Sequence, residues 1–177
     1  MTPSTDQQRL QALLRYKILD TFPEASFERF TRLAANIFGT PIALISLLDE
    51  DRQWFKSHYG LEATETPMHV SFCRHAIARE GVLTVLDATR DSRFSTNTLV
   101  TDDPGIRFYA GAPLETPEGI AVGTLCVIDR IPRRAFRETE EQILADLAAM
   151  VVNEMELRVA LKQLRVAGGH DRSEATR

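Results

Sequence analysis

The chain has 177 residues, 44% hydrophobic and 26% charged, with a formal net charge of −4, a balance that suits one soluble globular domain able to bury a proper core. An acidic chain argues against a nucleic-acid surface, which needs a basic face; no apolar run nears the ~18–20 residues that insert in a membrane, and no charged-then-apolar leader opens the sequence. Two cysteines, Cys73 and Cys126, make no disulfide framework, so a reducing cytoplasm is the expected compartment.

Leu10, Leu13, Leu14 and Ile18 recur at helical spacing and predict a helix over 5–19, capped by Thr5-Asp6 and ended by Asp20-Thr21-Phe22-Pro23. A second helix is expected over 26–38, with Phe27, Phe30, Leu33, Ala34 and Ile37 on its apolar face, Ser26 as cap and Gly39 as its close. The apolar run 41–48 reads as a central strand buried on both faces, and 53–59 as its partner across the turn at Asp49-Glu50-Asp51. Residues 60–70 read as loop, 71–79 as a short helix begun by Ser71, and 83–86 as a further strand. The stretch 87–105 is long, polar and irregular, which in a compact domain marks a functional or mobile loop.

Residues 106–129 form the most informative segment. Thr116-Pro117-Glu118-Gly119 supplies a fixed φ and then a residue that tolerates positive φ, and the flanks carry the β-branched and aromatic residues that strands favour. Gly111 and Gly123 interrupt the two strands, as at a bulge or a close approach by ligand or backbone, so the hairpin reads as one wall of a cavity. From 138 to 164 there is no Gly or Pro. Ile143, Leu147, Met150, Glu154, Leu157, Leu161 and Leu164 follow a 4-3-4-3-4-3 spacing there, a heptad seam with one acidic break. The expectation is that Ile143 to Val151 packs on the domain and Leu157 to Leu164 pairs with a second copy. Ala167-Gly168-Gly169 should end the helix, leaving one domain over 1–165 and a disordered tail over 166–177.

The order α-α-β-β-α-β-β-β-α predicts an α/β fold of the α+β type. A central antiparallel sheet of about five or six strands would carry the terminal helices on one face. The short helix and the long loop would enclose a pocket on the other. Pocket candidates are the aromatics Trp54, Phe72, Phe94, Phe108 and Tyr109, together with Gly111. Asp87, Asp91 and Arg93 offer a polar end, with Arg93 able to grip an anionic or carbonyl group, or else a loop stapled by its own ion pairs. Cys73, His75 and Cys126 admit a redox pair, a metal site or a covalent anchor; free cysteines are more often small buried hydrophobes. There is no CxxC, HxxxH or HExxH, and no Ser-His-Asp order, P-loop or GxGxxG. No cofactor is evident.

Seven pieces in chain order carry a family resemblance: ILDT (18–21), PIALISLLDEDRQWFKSHYG (41–60), SFCRHAI (71–77), VLDA (85–88), DSRF (91–94), RFYAGAPL (107–114) and GTLCVID (123–129). Over roughly residues 10–160 the chain resembles the GAF domain family, in the subclass found N-terminal in bacterial sensor histidine kinases and cyclic-dinucleotide signalling proteins. The resemblance implies a sensory domain without catalysis of its own. It would bind a small molecule or a partner and signal through its terminal helices in a homodimer, to a histidine kinase or cyclic-dinucleotide output domain. Members that attach a bilin carry Cys followed directly by His on the short helix, whereas here Arg74 intervenes. The pocket-loop cysteines of free-methionine-sulfoxide reductases are missing, and 97–107 lacks the Asn-Lys-Phe-Asp signature of cyclic-nucleotide binders. A thiol-dependent reductase using Cys73 and Cys126, or a structural dimerisation module with a degenerate pocket, stand as the alternatives.

Overall fold

β1 (Ile42–Leu48) is buried along its whole length, as an unbroken apolar run requires of a strand covered on both faces. The computed structural model describes residues 5–170. β2 (Arg52–Tyr59), β3 (Glu65–Pro67), β4 (Leu83–Val85), β5 (Phe108–Glu115) and β6 (Ala121–Asp129) complete a six-stranded antiparallel sheet in the order β3-β2-β1-β6-β5-β4. The helices are α1 (Thr5–Arg15), α2 (Ala25–Phe38), α3 (Phe72–Ile77), α4 (Thr98–Thr101) and α5 (Glu138–His170).

Strand side chains alternate between faces, and here they feed two cores. Ala43, Ile45 and Leu47 of β1, Phe108, Ala110 and Ala112 of β5, and Leu125 and Val127 of β6 point to the side covered by α1, α2 and α5. Ile42 and Leu44, Tyr109, and Cys126 and Ile128 point to the side covered by α3, α4 and their flanking loops. The expected layering, with terminal helices on one face and a short helix and long loop on the other, is what the chain forms.

Several boundaries differ from expectation. α1 stops at Arg15 because tight closing bonds from Tyr16 N to Leu13 O and Lys17 N to Leu14 O end in positive φ at Lys17 and then Asp20; this turn drops Ile18 into the core. The N-cap of α2 is Glu24, not Ser26, and its carboxylate is engaged elsewhere. Gly39 does close α2, in the left-handed conformation at φ 60°. β3 lies inside the predicted loop, pinned by Arg52 Nη1 to Glu65 at 2.7 Å. The region 87–105 holds a 3-10 turn (Ala88–Arg90) and α4.

α5 runs to His170, through the Ala167-Gly168-Gly169 expected to end it. Of the expected tail over 166–177, the part up to residue 170 is helical, and 171–177 lies outside the described residues. Two apolar stripes run along α5. Leu144, Leu147, Ala148, Val151, Val152 and Met155 are buried on the sheet. Ile143, Met150, Leu157, Leu161 and Leu164 are exposed, so Ile143 and Met150 do not pack on the domain as expected: they lie one residue off the inward stripe. Every residue from 160 to 167 is exposed, so the helix extends past the sheet.

Candidate ligand cavity

Between the sheet and its α3/α4 cover lies a cavity of about 130 Å³. Its floor is the inward face of three adjacent strands: Ile42 and Leu44, Cys126 and Ile128, and Tyr109. Leu99 comes from α4, Leu61, Pro104 and Ile106 come from the flanking loops, and the polar contributors are Gln53, Thr66 and Asp103. The larger depressions are surface features; one of 310 Å³ between α1 and α3 opposes Arg9 and Arg74 to Asp6 and Glu50 and so favours no one ligand charge.

α3 is aimed at the cavity by the residue that precedes it, Ser71. Ser71 Oγ accepts from Arg74 N at 3.2 Å as an N-cap, and it also donates to Gln53 Oε1, which ties the helix start to β2. Gln53 Nε2 then donates to Thr66 Oγ1 at 3.3 Å. Asn97 fixes the opposite lip, its Nδ2 donating to Val70 O at 3.0 Å and its Oδ1 capping α4. Phe72 stacks on Phe94 with centroids 4.0 Å apart and planes 7° apart, and meets Tyr109 at 5.2 Å.

Cys73 follows Phe72 and turns its sulfur into a ring of donors. Thr124 Oγ1 donates to Cys73 Sγ at 3.0 Å and Tyr109 Oη at 3.3 Å. Burial works to raise the Cys73 pKa, but Cys126, Thr124, Tyr109 and Ser46 outweigh it and bring it below the ordinary thiol value. Cys126 is pushed up, first by its interaction with Cys73 and then by burial. Ser46 Oγ is fully buried with no well-formed hydrogen bond, yet lies close enough to bias both sulfurs.

Of the residues singled out from sequence, Phe72, Cys73, Tyr109 and Cys126 line this cavity, and Phe94 is buried directly behind Phe72. Gly111 sits under the Tyr109 ring, where a Cβ would collide with the phenol. Gly123 similarly lets the Ser46 carbonyl approach, so both glycines make room for protein atoms. Trp54 and Phe108 belong to the other core, because strand alternation turns them toward the helices; Phe108 packs there on Phe136 and under Arg133. His75 is exposed, edge-on to Phe94 at 4.9 Å, its pKa lowered by burial and by Arg93 and Arg74. Asp91 takes Arg93 Nε and Nη2 at 2.9 and 2.6 Å and Asp87 caps the Ala88–Arg90 turn, so this acidic-basic set staples its own loop away from the cavity.

Sequence reasoning missed Gln53, Ser46 and Thr124; the long loop it set over the pocket does supply Leu99, Asp103 and Pro104. Alternation from Cys126 points to Thr124, since residues two apart on a strand share a face. Among the described residues no group of three or more His, Cys, Asp or Glu side chains is placed to hold a metal ion.

A GAF domain family model matches residues 23–155. The chain belongs to the GAF domain family. It is 44% identical over 150 residues to a cyclic di-GMP phosphodiesterase of Pseudomonas aeruginosa, a match over 85% of this chain and 26% of that protein, so the chain spans about a quarter of its relative. Among solved structures it superposes on the GAF domain of an Acinetobacter phosphoenolpyruvate-protein phosphotransferase with a TM-score of 0.62 at 19% identity, over 92% of this chain and 99% of that one. It also superposes on a free methionine-R-sulfoxide reductase of Neisseria meningitidis with a TM-score of 0.61 at 19% identity, over 88% and 92% of the two chains. At that identity these two structures speak to the fold alone. Among the described residues no helix is long and apolar enough to cross a membrane.

Proposed function

We propose that this GAF domain is a cytoplasmic sensor, without catalysis of its own, that binds a small molecule in the α3/α4-covered cavity and passes the signal through α1 and α5 of a homodimer. The observation that carries the reading is the placement of two features on opposite faces of one sheet. The cavity lies on one face; on the other lies a helix with an exposed apolar stripe, Ile143, Met150, Leu157, Leu161 and Leu164, continuing past the domain edge. A stripe with heptad spacing, exposed in the single chain, is the surface a parallel helix partner would cover.

The ligand is small and largely apolar. A cavity of about 130 Å³ compares with the ~150 Å³ engineered cavity that admits benzene, and falls below the ~300–1,000 Å³ of drug-sized sites. Gln53, Thr66 and Asp103 supply its polar contacts. Ligand would shift the population of the loop positions over 60–66 and 99–106, and through β1 and β6 the seating of α5. The similarity to a phosphodiesterase favours a cyclic-dinucleotide output domain over a histidine kinase.

Sedimentation of the wild-type chain beside a Leu157→Lys/Leu161→Lys variant tests the helix pairing. A dimer that the variant converts to a folded monomer supports it; a monomeric wild type at tens of micromolar refutes it. The reductase alternative rests on the proximity of Cys73 and Cys126, and turnover of methionine sulfoxide by the purified chain would establish it.

A further inference from the structure

Cys73 and Cys126 are the chain's two cysteines, both fully buried and unlinked. α3 and β6 bring them together at the wall of the cavity, where both side chains contribute to its lining. Their surroundings differ: Thr124 Oγ1 and Tyr109 Oη donate to Cys73 Sγ at 3.0 and 3.3 Å, so a charge on Cys73 is met by two hydroxyl donors, and the Cys73 pKa is drawn down while that of Cys126 is pushed up. A readily ionised thiol beside one that keeps its proton is the arrangement of an attacking and a resolving cysteine.

We propose that Cys73 and Cys126 are a peroxide-oxidised pair, in which the Cys73 thiolate reduces a small hydroperoxide admitted to the cavity and Cys126 closes the product to a disulfide joining α3 to β6. The Cys73 sulfur attacks the terminal peroxide oxygen and the O–O bond breaks. The departing alkoxide takes a proton to leave as an alcohol, or as water from hydrogen peroxide, and Cys73 becomes a sulfenic acid. The Cys126 sulfur then attacks the Cys73 sulfur, the S–O bond breaks, and the hydroxyl leaves as water with the Cys126 proton. Two thiols lose two electrons and one hydroperoxide gains them. The size of the cavity suits a hydroperoxide with a short chain or none. The titratable groups facing Cys73 are Tyr109 from β5 and Cys126 from β6, with Asp103 at the cavity lip; Thr124 and Ser46 are neutral hydroxyls. A bond between α3 and β6 would hold the cover down on the sheet, so oxidation and ligand entry would compete. The oxidation itself requires no ligand, and stands or falls apart from the sensor reading.

The test is thiol titration and non-reducing intact mass of the folded 177-residue chain before and after hydrogen peroxide. Wild type is expected to lose both thiols and two hydrogens within one chain, reversibly with dithiothreitol. Cys126→Ala should accumulate a sulfenic acid at Cys73 that dimedone captures, and Cys73→Ala should leave Cys126 oxidised at least about tenfold more slowly. Thr124→Val keeps side-chain shape and removes one donor, so the pH midpoint of the oxidation rate should move upward from its wild-type position while circular dichroism stays unchanged. Retention of both thiols by folded wild type under excess peroxide would overturn the proposal. So would a Cys73→Ala chain oxidised at the wild-type rate, or a Thr124→Val chain with an unmoved pH profile.

Discussion

Arg158 of α5 donates through Nε to both carboxylate oxygens of Glu24, at 2.9 and 3.1 Å, and Lys56 Nζ meets the same carboxylate at 2.5 Å. Arg158 Nη1 also donates to the Tyr16 and Lys17 carbonyls, at 3.1 Å each, where α1 ends. Lys56 is the extra residue of a bulge in β2, since Ile45 pairs with Ser57 and Ser46 with Phe55; the bulge re-aims its side chain toward α2. The end of α1, the start of α2 and the sheet therefore converge on one side chain of the outgoing helix.

Removing the carboxylate should be costly, because Lys56 and Arg158 are both buried and would lose their counter-ion. Glu24→Gln is expected to lower the unfolding free energy by about 1–3 kcal/mol, reduced from the full cost of a broken buried pair because Glu24 is partly exposed. Replacing Lys56 by Met should cost less, since it removes a desolvated charge rather than stranding one. Urea unfolding of the two variants beside wild type measures the difference, and a Lys56→Met chain less stable than Glu24→Gln would contradict the assignment.

The same triad gives a sign to the pH dependence. Burial works to raise the Glu24 pKa, but Lys56 and Arg158 prevail and hold it below its ordinary 4.5. Its contribution is therefore complete above pH 4.5 and lost as the pH falls through the folded value. Lys56 lies below its ordinary 10.5, burial outweighing Glu24, so it opposes folding while charged in acid and ceases to above 10.5. Of the two, only the Glu24 effect makes the protein less stable as the pH falls into the acid range; the Lys56 penalty adds nothing there and is relieved as the pH rises towards 10.5. Asp20 and Asp91, lowered by Arg52 and Arg93, add to the trend, so the informative quantity is the difference between wild type and Glu24→Gln. That difference should shrink as the pH is taken below 4.5, and a constant gap would show that Glu24 does not titrate as described.

Gly123 and Gly111 should each resist a single methyl. At Gly123 the new Cβ would enter the Ser46 carbonyl, a backbone atom fixed in the β1–β6 ladder; at Gly111 it would meet the Tyr109 ring, which can move. Gly123→Ala is expected to destabilise by about 3 kcal/mol or more and Gly111→Ala by about 1–3 kcal/mol. Thermal melts decide the order. Gly111→Ala should also alter the reactivity of Cys73, because the displaced phenol is one of its donors.

Much of this architecture was legible in the residues. The unbroken apolar run of β1, the Gly39 stop of α2, the Ser71 cap of α3 and the Thr116–Gly119 turn each follow from local chemistry, and together they set the antiparallel order. The face on which a side chain falls was harder to read. Trp54 and Phe55 are adjacent on β2, so they must face opposite ways, but nothing local says that Phe55 takes the cavity and Trp54 the helices. On α5 the inward stripe through Leu144 and Val151 and the outward stripe through Ile143 and Met150 share one period, and only the sheet's position tells them apart. β3 has three residues and is held by Arg52 through Glu65, which leaves no periodic signal. Arg158 gives no local signal, because its carbonyl partners, Tyr16 and Lys17, lie some 140 residues earlier.

The exposed stripe on α5 yields a separate expectation for stability. Leu157 and Leu161 are 51% and 46% exposed, so Leu157→Lys/Leu161→Lys should leave monomer unfolding within about 0.5 kcal/mol of wild type. Wild type should melt at a temperature that rises with protein concentration, as dimerisation requires, and the variant should not.

Native mass spectrometry of the purified chain, before and after denaturation, tests the sensor account most directly. The account predicts a dimer that carries a small molecule and releases a defined mass on denaturation. A monomer across the micromolar range with an empty cavity would contradict it.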